Sequence, residues 1–358
     1  MHPDGISTDL NLVLRDNLAL IDKGFVQALC LRFHGSKERA QLAYADNLAE
    51  TRRLMILLLE MQRLDIPLDP DGAANVAERG DLDLQHEARP IWLSDCGLVR
   101  QRLECLLRAQ TSLQDSGKPV PATLARLISE NRELLDDLRN RAQGIENFDP
   151  PAPEEQHSEA EKATLEEFLK HLPYADPKFL AGENEMAGEN FDNVAATLNA
   201  VLNNSFIAID QFFLHGFVFR SHHEHAIAQE SVGYSILQMG AAYRLAQRML
   251  VLGAVPGGQT NTELRLSYRV VAGQDPAEAL QNDLDLLDQR SAGLERAKTL
   301  MDEERDRGSS DLITMLLTAE ARTREKLRAR QEALAKGATI GGTSEKFDAM
   351  LSMWGAIS

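Results

Sequence analysis

Apolar residues recur at i, i+3, i+4 and i+7 through residues 8–33 and again through 190–219, the spacing that lays a continuous stripe along one side of an α-helix. Each segment is followed by a second long apolar-periodic run, ending at Pro67 in one case and at Val255-Pro256 in the other. Gly35-Ser36 separates the first pair as a stop followed by a residue able to cap the next helix. Beyond the second runs, residues 67–90 and 253–276 carry Gly, Asp, Asn and Pro and are too long for a tight helical hairpin. Third helices are predicted at 91–115 and 276–306, and fourth helices at 121–143 and 310–335. Ser116-Gly117-Lys118-Pro119 and Gly308-Ser309-Ser310 break the chain between them. The fold class read from this pattern is all-α, with two tandem four-helix bundles in which two short connections flank one long crossover.

The two halves also resemble each other. Residues 10–25, LNLVLRDNLALIDKGF, lie over 198–213, LNAVLNNSFIAIDQFF, with seven identities at an offset of 188. The same offset pairs Arg32 with Arg220, His34 with His222, Ala40 with Ala228, Gln41 with Gln229, Met61 with Met249 and Leu64 with Leu252. Unrelated sequences of average composition would share roughly one residue in sixteen. The expectation is an internal duplication, a fused pseudo-dimer, with bundles over 1–146 and 191–336. Residues 147–190, acidic and rich in proline, read as a linker with at most a short helix near 160–171. The tail 337–358 starts flexibly and then places Phe347, Leu351 and Trp354 on one helical stripe.

Composition narrows the partners. Lys+Arg 38 against Asp+Glu 55 gives a net charge of −17, so no basic surplus exists to neutralise phosphate, and nucleic acids and anionic membranes are not expected partners. No stretch approaches the ~20 apolar residues of a membrane span. The N-terminus, MHPDGISTDLNLVLRD, carries acids where a signal peptide needs cations. Cys30, Cys96 and Cys105 show no metal or redox spacing, and their odd number argues against a disulfide framework. The expected location is the cytoplasm.

The string Ala208-Ile209-Asp210-Gln211-Phe212-Phe213-Leu214-His215 resembles the first helix of bacterioferritins, and the resemblance continues in register through Met239, Leu252, Pro256, Asp283-Leu284 and Asp311 to Leu327. It covers most of 195–335, and the first half is similar to it mainly through its match to the second. The resemblance implies a ferritin-like bundle whose dinuclear metal centre takes a Glu-x-x-His pair from each of two helices and a Glu from each of the others. In the second half those positions are Ser205, Gln238, Ala241, Leu287, Glu320 and Thr323, so one ligand, Glu320, stands. In the first half they are Asn17, Glu50, Arg53, Val99, then Glu130 or Asn131, and Glu133 or Leu134. Glu50 is the secure remnant there. No conventional di-iron centre is expected, and the loss of buried carboxylates leaves an ordinary packed core.

The resemblance also places Met239 where bacterioferritins ligate haem across a two-fold interface, making it a candidate axial ligand for haem b. Packing of an adaptable Met side chain is the alternative. His222-His223-Glu224-His225 is rich in donors, but on a continuous helix only His222 and His225 could share an ion, and surface turn histidines explain it as well. His215 reads as a satisfied core histidine, and the matched Asp22 and Asp210 carry no assigned chemistry. The expected function is a non-catalytic bacterioferritin-like protein, handling iron or haem or serving as an assembly subunit as a homo-oligomer or with another protein. The alternative is an adaptor that uses the bundle only as a binding surface.

Overall fold

Two short turns and one long return set the path of the chain in each half. The computed structural model describes residues 4–33, 37–69, 88–143, 191–257, 261, 263–264, 270–271, 273, 275–337 and 342–353. The regular elements described in these stretches are helices. The first unit holds α1 (Asp4–Phe33), α2 (Lys37–Arg63), α3 (Ala88–Asp115) and α4 (Ala122–Gln143). The second holds α5 (Phe191–Ser221), α6 (His225–Val251), α7 (Pro276–Glu303) and α8 (Arg307–Ala335). A short helix, α9 (Glu345–Met353), follows. The chain divides into two compact units, one carrying α1–α4 and the other α5–α8.

Within the first unit each helix packs on two neighbours, closing the ring α1–α2–α4–α3, and the second repeats it as α5–α6–α8–α7. Side-chain pairs give the directions. Asp9 and Lys23 on α1 meet Arg108 and Asp95 on α3, so these helices run antiparallel. Glu60 and Asp46 on α2 meet Thr123 and Arg141 on α4 in the same sense. Helices α2 and α3 are therefore parallel, which requires a crossover along the length of the bundle. Among the described residues no helix is long and apolar enough to cross a membrane.

A buried asparagine clasps the start of each crossover. Asn11 Nδ2 donates to the Pro67 carbonyl at 2.9 Å, and its Oδ1 accepts from the Asp69 amide at 2.7 Å. Asn199 makes the same two bonds to Val255 O, at 3.1 Å, and Gly257 N, at 2.7 Å. Each of these residues lies 188 positions after its counterpart. Likewise Asn47 on α2 donates to Ile21 O on α1, and Ser235 on α6 donates to Ile209 O on α5.

Helix ends follow local chemistry. Gly117 adopts φ 68°, a left-handed conformation that glycine reaches without cost, and ends the α3 turn. Asp275 caps α7, accepting from the amides of Ala277 and Glu278 with Pro276 in the first turn. The break before α8 falls earlier than Gly308-Ser309-Ser310 predicts: α7 stops at Glu303, Arg305 turns left-handed at φ 58°, and Asp306 caps α8. Asp306 wins because its side chain accepts from Ser309 N at 3.1 Å, which draws Gly308–Ser310 into the first helical turn. At Gly216 a Cβ would stand 2.7 Å from Val232 Cγ2, so the missing side chain lets α5 and α6 approach closely.

Of the predicted tail stripe, Phe347 and Leu351 are buried. The Phe347 ring meets Phe217 edge-on at 5.3 Å, with the Arg220 guanidinium 5.8 Å from its centroid. Trp354, Gly35-Ser36, the linker 147–190 and most of the crossover 67–90 lie outside the described residues.

Candidate functional site

At mid-height in the first bundle all four helices send a polar side chain to one point. Asn17 comes from α1, Glu50 from α2, Arg102 from α3 and Asn131 from α4. Arg102 reaches it because it lies one helical turn beyond the apolar Val99, on the same face of α3. Its guanidinium has no exposed surface. It donates through Nη1 to Glu50 Oε2 at 2.6 Å and through Nη2 to Glu50 Oε1 at 3.2 Å, a bidentate fork. The remaining donors meet Asn17 Oδ1 and Asn131 Oδ1, each at 2.5 Å.

The second bundle builds the same object from other residues. Arg290, the residue 188 positions after Arg102, is 2% exposed. Its Nε and Nη2 lie 2.8 and 2.7 Å from Glu320 Oε1. Nη2 also donates to Gln238 Oε1 at 2.9 Å, and Nη1 to the Asn204 carbonyl. The roles of two helices are exchanged. In the first bundle the second helix supplies the carboxylate and the fourth an amide; in the second bundle the second helix supplies the amide and the fourth the carboxylate.

Each centre therefore holds one enclosed guanidinium, one carboxylate and neutral oxygens, and in the first bundle Arg53 brings a second guanidinium to the same carboxylate. Arginine suits the position because its planar charge is delocalised and its donors fan out toward several helices at once. Burial pushes the Glu50 carboxyl up, but Arg102 and Arg53 outweigh it and hold its pKa below the ordinary glutamate value. Arg53, at a position where the resemblance implies a His ligand, sits 2.7 Å from Glu50 Oε1.

The other positions implied as ligands point elsewhere or carry no donor. Asn131 faces the centre, whereas Glu130 lies toward the surface with Arg52 and Arg126. Of the two alternatives, Asn131 is the side chain at the bundle centre. Ser205 and Thr323 donate back to Val201 O at 3.0 Å and Ala319 O at 3.2 Å. Val99, Ala241 and Leu287 are buried apolar residues. The arginines are what reading for ligands misses: the signal was present, since Arg102 and Arg290 match across the halves inside otherwise apolar stripes.

A second polar layer lies nearer the α1–α2 and α5–α6 turns. In the first bundle Lys23 pairs with Asp95 at 2.7 Å and Arg141 with Asp46 at 2.6 Å. Burial pushes the Asp95 carboxyl up, with Lys23 opposing. Asp46, Asp95 and Arg141 border a cavity of about 60 Å³ walled by Leu20, Gly24, Trp92 and Leu138. In the second bundle Phe212 and Tyr234 stand 188 positions after Gly24 and Asp46, with ring centroids 5.6 Å apart. Burial pushes the Tyr234 hydroxyl up to about 12. His215 is fully buried, with Nδ1 2.6 Å from Asp283 Oδ1 and Nε2 2.7 Å from the Val271 carbonyl. It joins α5 to α7 and to the crossover. Asp22 and Asp210 are both buried.

Met239 is half-buried on α6. One turn before it Ile236 is 36% exposed, and a Cβ on Gly233 would meet nothing within 4 Å; Leu237, 53% exposed, lies on another side of the helix. Cys30, Cys96 and Cys105 are free thiols. Among the described residues, no three His, Cys, Asp or Glu side chains are grouped to hold a metal ion.

Compared with known families, residues 195–336 match the ferritin family model, described as a ferritin-like domain. The matched segment spans α5–α8, the bundle centred on Arg290.

Arg290→Ala strands the Glu320 carboxylate in a dry core and is expected to cost about 3–5 kcal/mol in chemical denaturation. Arg290→Met combined with Glu320→Leu should recover most of that loss; a single-variant cost below about 1 kcal/mol would show that solvent screens the pair. A second prediction concerns acid. Because the folded-state pKa of Glu50 is depressed, its contribution is present above the ordinary value of 4.5 and disappears as pH falls through the folded value. The stability gap between wild type and Glu50→Gln should be widest at neutral pH and close on acidification below 4.5; a gap that stays constant would contradict the ionised pair.

Proposed function

We propose that this chain is a ferritin-like scaffold built from two copies of one bundle, and that it acts by assembly and binding without oxidising iron. The carrying observation is the guanidinium at the centre of each bundle. Two divalent ions held together need several carboxylates to offset their charge, and each cluster offers one, already bound to a fixed cation. Asn17, Glu50 and Asn131 around Arg102, and Gln238 and Glu320 around Arg290, are a poor fit to a metal pair. An entering cation would meet positive charge in a space the arginine fills.

The duplication reading draws on geometry as well as identities. The asparagine clasps, the α1–α2 and α5–α6 bonds from Asn47 and Ser235, the central arginines, and Asp95 and Asp283 all recur at the offset of 188. A fused pair of this kind presents two related surfaces from one chain, which suits a homo-oligomer or co-assembly with a partner that carries its own metal ligands. An adaptor subunit of a larger complex uses the same surfaces without a shell. Three free thiols fit a reducing, cytoplasmic setting.

Haem remains a second reading because Met239 lies one turn after exposed Ile236, on the same side of α6. That face offers a soft thioether for an iron and an apolar contact for a macrocycle, and a second copy would complete the axial pair. When bound there, haem would supply one-electron chemistry.

Aerobic Fe(II) oxidation, followed by absorbance, should show no saturable rate above buffer. A saturable rate lost in Glu320→Gln would overturn the scaffold reading. For haem, titration of the full chain with hemin should give a Soret band at one haem per two chains that is lost in Met239→Ala; an unchanged band in that variant would remove Met239 from consideration.

A further inference from the structure

Sequence spacing alone pairs His222 with His225, because on an unbroken helix residues three apart share a face. The structure breaks the helix between them. Helix α5 ends at Ser221, the His223 amide closes a turn onto Arg220 O at 3.0 Å, and His223 takes φ 61° before α6 begins at His225. That single left-handed residue, unusual outside glycine, redirects the chain and rearranges the histidines. His222 folds back, its Nδ1 3.0 Å from the Val218 carbonyl. His223 and His225 are instead brought together, with ring centroids 5.9 Å apart and planes at 72°.

From this juxtaposition we infer that His223 and His225 form a binding site for one divalent transition-metal ion of the kind that prefers imidazole, with water completing the coordination. The separation is compatible with such a site. With each ligating nitrogen about 2.1 Å from the ion, two imidazole centroids stand about 5–6.5 Å apart. Imidazole donors suit zinc, copper and nickel better than hard cations such as magnesium or calcium.

A second observation also points to a ligand. His225 Nδ1 is out of contact with solvent and has no hydrogen-bond partner. Glu224 does not use its side chain to cap α6, the role its position would otherwise offer. Polar atoms withdrawn from water without a partner are costly, and a bound ion with its waters removes that cost. The electrostatics are compatible. The C-terminal end of α5 faces the turn with its negative dipole end, and Glu224 offsets the opposing positive end of α6. With two protein ligands the site is open, unlike a closed four-ligand structural site. Its effect on the protein is to tie the end of α5 to the start of α6.

The test is a titration of the untagged full chain with ZnCl₂ and, separately, NiCl₂, read by calorimetry and by the shift in Tm. One ion per chain should bind, with an upward shift of Tm. His223→Asn, which keeps a residue tolerant of the left-handed conformation, and His225→Gln should each weaken binding at least tenfold, while His222→Ala should change it less than threefold. The inference is overturned if the His223→Asn/His225→Gln double variant binds as wild type does, or if His222→Ala alone abolishes binding.

Discussion

A guanidinium buried at the point where four helices converge is the constraint on which each bundle depends. Taking a charge out of water is costly unless a counter-charge and a full set of acceptors meet it. Arg102 meets that condition with Glu50, Asn17 and Asn131; Arg290 meets it with Glu320, Gln238 and a main-chain carbonyl. Every helix of each ring is thereby tied to one group. The arrangement links helices by directional bonds where a uniformly apolar centre would only press them together, so it fixes their rotation and register.

The two bundles pair their buried arginine by opposite routes, with the carboxylate on the second helix in one and on the fourth in the other. A counter-charge and a set of acceptors are thus the shared requirement, and the helix that supplies each is free to differ. The neighbouring polar layer shows similar latitude. The first bundle uses Lys23–Asp95 and Arg141–Asp46 beside a small cavity, whereas the second fills the corresponding space with Phe212 and Tyr234 and uses His215–Asp283. The aromatic pair makes this layer of the second bundle largely apolar; the charged pairs keep that of the first polar. Matching the two halves residue by residue identifies positions of equal geometry, and the chemistry at those positions has diverged.

Glu50 and Glu320 stand out in the sequence as carboxylates at positions where a metal-binding bundle would have them, and each does lie at the centre of its bundle. What they face is legible only with the third helices placed. An arginine inside an apolar stripe reads as a surface residue reaching out of a helix, since long charged side chains usually extend to water. The recurrence of Arg102 and Arg290 at matching positions was the available clue. At the α5–α6 turn the opposite holds: spacing on an assumed helix joins His222 to His225, and one left-handed residue joins His223 to His225 instead.

The sequence by itself determined the all-α class, the two sets of four helices and the single long crossover in each, because apolar periodicity and side-chain chemistry are local properties of the chain. Tertiary structure decided which polar residues meet, that Asn131 and not Glu130 faces inward, and that a fixed guanidinium fills each bundle centre. Those outcomes depend on the rotation of each helix about its axis and on contacts between residues 29 to 85 positions apart around Arg102. No local pattern encodes them, since the energy of a buried charge is set by the partners that packing brings within hydrogen-bond reach.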